Sequence, residues 1–90
     1  MIYELKDFRP NMEVTQKVHF YEKNADGTET DGTTLEEMLR VSIARLQDLN
    51  SRFGCRENSV AITKMEEALM WLNKRTEDRI SRGVEGQHKA

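Results

Sequence analysis

One cysteine, one proline and two histidines among 90 residues close off several ways of building or using a small protein. Cys55 alone cannot form an internal disulfide, and the widely separated His19 and His88 suggest no metal site. No apolar run approaches the length needed to span a bilayer, and the stretch from Met1 to Asp7 has neither the basic start nor the apolar core of a signal peptide. The expectation is a cytoplasmic protein with no cofactor, no metal and no membrane partner. Charge of one sign is also lacking. Fourteen basic against 16 acidic residues leave a net charge of -2, which argues against a protein that coats polymeric nucleic acid by releasing counterions. Small anionic ligands stay open.

What is present is the balance of a soluble globular chain, 37% hydrophobic and 33% charged, read as a single domain over residues 1–90. A chain of this mass folded alone hides roughly two thirds of its unfolded surface, which leaves a marginal core. With no disulfide or metal to staple it, association with further copies is the remaining source of stability.

Residues 1–32 read as strand and turn. From Val14 to Glu22, the residues Val14, Gln16, Val18 and Phe20 alternate with Thr15, Lys17, His19 and Tyr21, which predicts a half-buried strand. Asn24-Ala25-Asp26-Gly27 is a turn signal after which Thr28-Glu29-Thr30 returns as a short second strand. Ahead of them, Phe8-Arg9-Pro10-Asn11 interrupts regular structure.

Residues 33–82 read as a helical hairpin. Thr33 with Glu36, or Thr34 with Glu37, has capping-box spacing. Leu35, Met38, Leu39, Ser42, Ile43, Leu46, Leu49 and Phe53 then recur at threes and fours over about Thr34 to Arg52. Gly54 is expected to end this helix in the left-handed conformation, with Cys55 as a poor N-cap for a second helix from Arg56 to about Arg82. That helix carries Ala61, Met65, Ala68 and Leu72 on one face with Ile62, Leu69 and Thr76 beside it, and turns Met70 and Trp71 elsewhere. A link this short forces an antiparallel hairpin. The second helix, on the order of 40 Å long, outgrows a globule whose radius of gyration would be about 12 Å. The fold class is therefore α+β and mainly α: a short N-terminal β-hairpin, then a long antiparallel helical hairpin that assembles into a symmetric oligomer, with residues 83–90 as a flexible tail.

No catalytic constellation stands out, and the chain does not read as an enzyme. Cys55 has no histidine near it in sequence, and Glu66 and Glu67 diverge around their helix. Glu57 suits the first turn of a helix as a partner of its dipole. The same turn, Arg56-Glu57-Asn58-Ser59, offers backbone N–H groups and a positive dipole end to a phosphate. Arg75, Arg79 and Arg82 share a cationic face farther along. Lys74 with Asp78 and Asp78 with Arg82 have the spacing of ordinary surface pairs, so this face also reads as a plain solvated one.

Cys55-Arg56-Glu57-Asn58-Ser59 followed by Ala61-Ile62-Thr63-Lys64-Met65-Glu66-Glu67-Ala68-Leu69-Met70-Trp71-Leu72 resembles the helical-hairpin family of phage nucleotide sponges, which includes the second anti-CBASS and first anti-Thoeris proteins. The resemblance covers roughly Thr33 to Gly86, and strands ahead of the hairpin are more like the anti-Thoeris branch. It implies a hexamer, in the cytoplasm of an infected bacterium, that sequesters cyclic dinucleotides, cyclic trinucleotides or cyclic ADP-ribose isomers without cleaving them. Arg56 and Asn58 carry over as pocket residues, and Arg75 and Arg79 match late-helix positions. Arg40 and Phe53 are added on geometric grounds, as a charge partner and a stacking surface. Cys55 stands where relatives commonly have serine, and Gly54 where close relatives often have proline. Both changes loosen the turn. The competing expectation is a protein–protein interaction module with no nucleotide ligand, whose wide apolar arc docks a partner. A DNA-binding role ranks below both, since no helix is basic enough to read a groove.

Overall fold

The computed structural model describes residues 1–9 and 16–83. It divides into two compact units, Met1–Thr34 and Leu35 onward, each with its own internal contacts.

In the first unit, β1 (Ile2–Leu5) pairs antiparallel with β2 (Gln16–His19), in a register that sets Ile2 opposite His19 and Leu5 opposite Gln16. A second small ribbon joins β3 (Glu22–Lys23) to β4 (Glu29–Thr30). The turn between them forms where Asn24 to Gly27 calls for one. The Gly27 N–H donates to the Asn24 carbonyl at 3.0 Å, and the Asn24 N–H to the Thr28 carbonyl at 2.8 Å. Gly27 takes φ 90°, a conformation that costs glycine little. The Asp26 carboxylate accepts from the Thr28 N–H at 2.9 Å and its hydroxyl at 2.6 Å, closing an Asx turn and holding Asp26 below the ordinary carboxylate range.

Two expectations for this unit change. The strand read from Val14 to Glu22 is not continuous: Val14 and Thr15 lie outside the described residues, β2 ends at His19, and Phe20 instead forms a parallel bridge with Thr33. The Thr33 N–H donates to the His19 carbonyl, and the Tyr21 N–H to the Thr33 carbonyl. The partner of β2 is also not the returning segment but β1, a short strand whose pairing across the chain no local pattern announces. The Tyr3 ring meets Phe20 edge-on, with centroids 5.7 Å apart, and helps hold that pairing. Pro10 and Asn11, read as a break, lie outside the described residues, as does the tail from residue 84.

The second unit is the expected hairpin, α1 (Leu35–Arg52) and α2 (Arg56–Ser81). Glu36 and Glu37 in the first turn of α1, Glu57 in that of α2, and Arg52 and Arg79 in the last turns all complement the helix dipoles. The helices run antiparallel, so that Asn50 near the end of α1 meets Ser59 near the start of α2, and Glu36 meets Arg75 at the opposite end. Half-buried residues on α2 fall at Asn58, Ile62, Met65, Leu69, Leu72, Thr76 and Arg79, a spacing of threes and fours that repeats every seven residues, with Ala61 half-buried beside Ile62. This is the narrow seam of an antiparallel coiled coil. On α1 it is met by Leu39, Ile43, Leu46 and Asn50.

The seam is thinner than the sequence pattern suggested. Ile43, 8% exposed, is the one buried hydrophobic residue among those described. Leu35 and Phe53, counted in the α1 stripe, are exposed at the two ends of the helix, and Ala68 faces out of the seam. Met70 and Trp71 are exposed as anticipated, at 55% and 62%. Among the described residues no helix is long and apolar enough to cross a membrane.

Gly54 does not adopt a left-handed conformation; among the described residues only Gly27 and Gly83 have positive φ. Glycine suits position 54 through close approach, because a Cβ there would lie 3.1 Å from the Asn50 carbonyl oxygen. The tail side of α2 uses the left-handed device instead, with Gly83 at φ 71° and its N–H bonded to the Ile80 carbonyl.

Gly32 is more tightly confined: an added Cβ would meet the His19 carbonyl oxygen and the Phe20 carbonyl carbon at 2.5 Å. Gly32→Ala is expected to break the Phe20–Thr33 bridge and speed amide exchange at Tyr21 and Thr33, leaving α1 and α2 unchanged by circular dichroism. Ile43→Ala should cost about 2–3 kcal/mol of stability, the lower part of the usual range for emptying an apolar site, read as a lower midpoint in urea unfolding.

Candidate ligand-binding site

The residues singled out from sequence fall into three places along the hairpin. Phe53, Arg56 and Asn58 gather at the turn, Arg40 lies on a groove along the middle, and Arg75 and Arg79 sit toward the open end. From Arg56 to Arg75 the α2 backbone rises about 28 Å. One small cyclic nucleotide cannot touch both ends of a single hairpin.

At the turn, Cys55 is the N-cap of α2 in an extended conformation, φ -153° and ψ 162°, and its thiol makes no capping bond, as its weak acceptor character implies. Asn50 supplies the tie from α1. Its Oδ1 accepts the Cys55 N–H at 3.1 Å, and its Nδ2 donates to the Ser59 Oγ at 3.3 Å. Asn58 closes the turn from the other side, with Nδ2 donating to the Phe53 carbonyl at 3.4 Å. This leaves the Phe53 ring 76% exposed and the Arg56 side chain in solvent, with no ion-pair partner among the described residues. An exposed ring, an unpaired guanidinium and a helix N-terminus at one end of one element suit a planar base joined to a phosphate. Glu57 works against this, because its carboxylate already occupies part of the dipole's positive field.

The other arginines are differently placed. Arg40 is committed to Glu37, with Nε 2.9 Å from Oε2 and Nη2 on Oε1. This pairing holds the Glu37 carboxyl below its ordinary range and raises the Arg40 guanidinium. Arg40 also rims an open groove of about 790 Å³ whose floor includes Ile43, Leu69 and Met70 and whose rim also carries Lys74, Glu66 and Glu77. Its mixed charge favours no anion. At the open end Arg75 Nη2 lies 3.9 Å from Glu36 Oε1. Arg79 turns inward toward the seam, where its Nε is shielded from solvent and makes no hydrogen bond. Arg82 folds back onto the Asp78 carbonyl, and Lys74 pairs with Asp78 at 4.0 Å, so this face is partly the ordinary charged surface its spacing allowed.

Asn50 carries no role in the sequence reading, and Ser59, Glu36 and Glu37 enter it only as residues of helix starts, without the partners they take here. The pairing of Glu37 could have been found, since it lies one helical turn before Arg40. Asn50 and Glu36 act across the hairpin and depend on its register. Among the described residues no group of histidine, cysteine, aspartate and glutamate could hold a metal ion.

The profile of the family described as Acb2/Tad1, hairpin domain, matches residues 13–77, a span that contains α1, the turn and most of α2. The chain is also similar to a protein of Bacillus phage SBSphiJ7 named Thoeris anti-defense 1, with 58% identity over 60 residues. That alignment takes in 66% of this chain and 42% of the phage protein, so the chain spans less than half the length of this relative.

The Glu37–Arg40 pair gives a pH prediction. Because the folded carboxyl has a lowered pKa, the stabilisation is complete above the ordinary carboxylate pKa and is lost as pH falls through the lowered one. In an NMR titration Glu37 should protonate below its model-peptide value of 4.5, and Arg40→Ala should return it toward that value.

Proposed function

Because the chain belongs to the Acb2/Tad1 hairpin-domain family, we propose that it is a phage anti-defence protein that acts as a sponge, binding cyclic nucleotide immune signals without cleaving them. The ligands are cyclic di- or trinucleotides or cyclic ADP-ribose isomers, and their removal blocks CBASS or Thoeris effectors in the cytoplasm of the infected cell. The name of the Bacillus phage relative favours the Thoeris side. The observation that carries the proposal is the exposed, unpaired Arg56 beside Phe53 and the first turn of α2, within the span that the family profile matches.

Capture proceeds by binding alone. The phosphates of the ring take the guanidinium of Arg56 and the free N–H groups of α2, while Phe53 offers its face to a base. Asn58 contributes by bracing the loop and from its place in the first turn. Arg75 and Arg79 belong to a second contact region, reached by a ligand only when hairpins of different copies lie side by side. A hexamer of this kind would also cover Met70 and Trp71, which a single hairpin leaves in water. A sponge is stoichiometric, so its effect scales with the number of pockets and with the free-ligand concentration relative to Kd.

Equilibrium binding to cyclic GMP-AMP, cyclic tri-AMP and cyclic ADP-ribose isomers, followed by heat release and chromatography of the ligand, tests the proposal. Intact ligand is expected. Arg56→Ala should weaken binding by roughly tenfold or more, the effect of losing one charge-assisted hydrogen bond worth about 1.5–3 kcal/mol. Altered ligand would make the protein an enzyme. Binding of none of the panel would favour the interaction-module alternative, in which the apolar groove docks another protein.

A further inference from the structure

We infer that Asn50 is a positioning residue for ligand capture, a clasp from α1 that sets the direction of the first turn of α2. This rests on the proposal that the turn end of the hairpin is where a cyclic nucleotide is held. The thiol of Cys55 makes no capping bond, so the side chain of α2's own N-cap residue does nothing to fix the entry of the helix. Asn50 takes over that task from the opposite helix. Through one amide it accepts the Cys55 N–H at 3.1 Å and donates to the Ser59 Oγ at 3.3 Å, gripping α2 at its cap and again one turn later.

The surrounding residues fit this role. Asn50 is half-buried where α1 meets α2, which places its amide against the start of the second helix. Gly54 leaves the space it needs: a Cβ at that position would stand 3.1 Å from the Asn50 carbonyl oxygen and 3.6 Å from its Oδ1. The Ser59 Oγ in turn lies 3.3 Å from the Cys55 carbonyl, so cap, first turn and α1 form one connected set. Arg56 and Asn58 stand between the two points that Asn50 holds. With the clasp open, the side-chain tie between α1 and the start of α2 is lost, the bonds that remain at the turn (Asn58 to Phe53, Ser59 to Cys55) do not reach α1 proper, and Arg56 and the free N–H groups lose their shared aim.

The test compares Asn50→Ala, Asn50→Asp and Asn50→Gln in the full chain, with Ile43→Val as a control that loosens the seam without touching the turn. Each is titrated with cyclic GMP-AMP, cyclic tri-AMP and cyclic ADP-ribose isomers, and amide exchange is followed at Cys55. Asn50→Ala should weaken binding roughly five- to tenfold and expose the Cys55 amide to exchange. Asn50→Asp keeps an acceptor for the Cys55 N–H and for the Ser59 hydroxyl, and should leave the Cys55 amide protected while the added negative charge weakens binding; a Cys55 amide as exposed as in Asn50→Ala would count against the clasp. Asn50→Gln displaces the amide by one methylene and should weaken binding with the helical signal retained, which serves if Asn50→Ala loses its fold. Equal binding by the parent, Asn50→Ala and Asn50→Gln overturns the clasp alone. So does an equal loss in Ile43→Val. A parent chain that binds no member of the panel overturns the proposed function and the clasp with it.

Discussion

The contact between α1 and α2 is the constraint from which the rest follows. It is a seam of threes and fours, narrow enough that Ile43 alone is buried among the described hydrophobic residues. Conformational entropy opposes ordering each residue by about 1–2 kcal/mol, and a seam this thin offsets little of it. The register of the seam nevertheless decides which side chains meet. It sets Asn50 against the start of α2 and Glu36 against Arg75, and it sends Met70 and Trp71 outward into water.

That register also sorts the arginines. Arg40 and Arg75 are each matched by a carboxylate from the first turns of α1, Arg79 is drawn inward, and Arg56 is left free at the turn. Charge is thus uneven along the hairpin, in a chain whose overall balance is slightly acidic. The unpaired cation coincides with the end where backbone N–H groups lack helical partners, and the two favour the same kind of ligand. Surface pairs such as Glu37 with Arg40 add little to stability, but they do remove competing cations from the groove.

Much of this was legible in the sequence. The hairpin showed in apolar spacing, in the acidic first turns and in Gly54 followed by Cys55, because helices are built from local contacts that a local pattern records. The turn at Asn24 to Gly27 was legible for the same reason. What escaped was non-local. Ile2–Leu5 carries too short an alternation to announce a strand, and its partner lies across residues that say nothing of the pairing. Gly54 follows a helix, where the left-handed conformation is the commonest reason for a glycine, whereas its backbone is ordinary and its neighbour Asn50 is close. Of the candidate site, the first turn that Arg56 and Asn58 occupy was legible as a helix start, and their place in a pocket came from the family resemblance. Asn50 and Glu36 need the fold before their partners can be named.

The central claim is that the turn end of the hairpin grips a cyclic phosphodiester. Backbone amide shifts in an NMR titration of the isotope-labelled chain with cyclic ADP-ribose isomers and cyclic GMP-AMP test it most directly. The account predicts saturable shifts that are largest from Phe53 to Ser59. Saturable shifts confined to the groove around Ile43 and Leu69, or no shifts with any ligand, would contradict it.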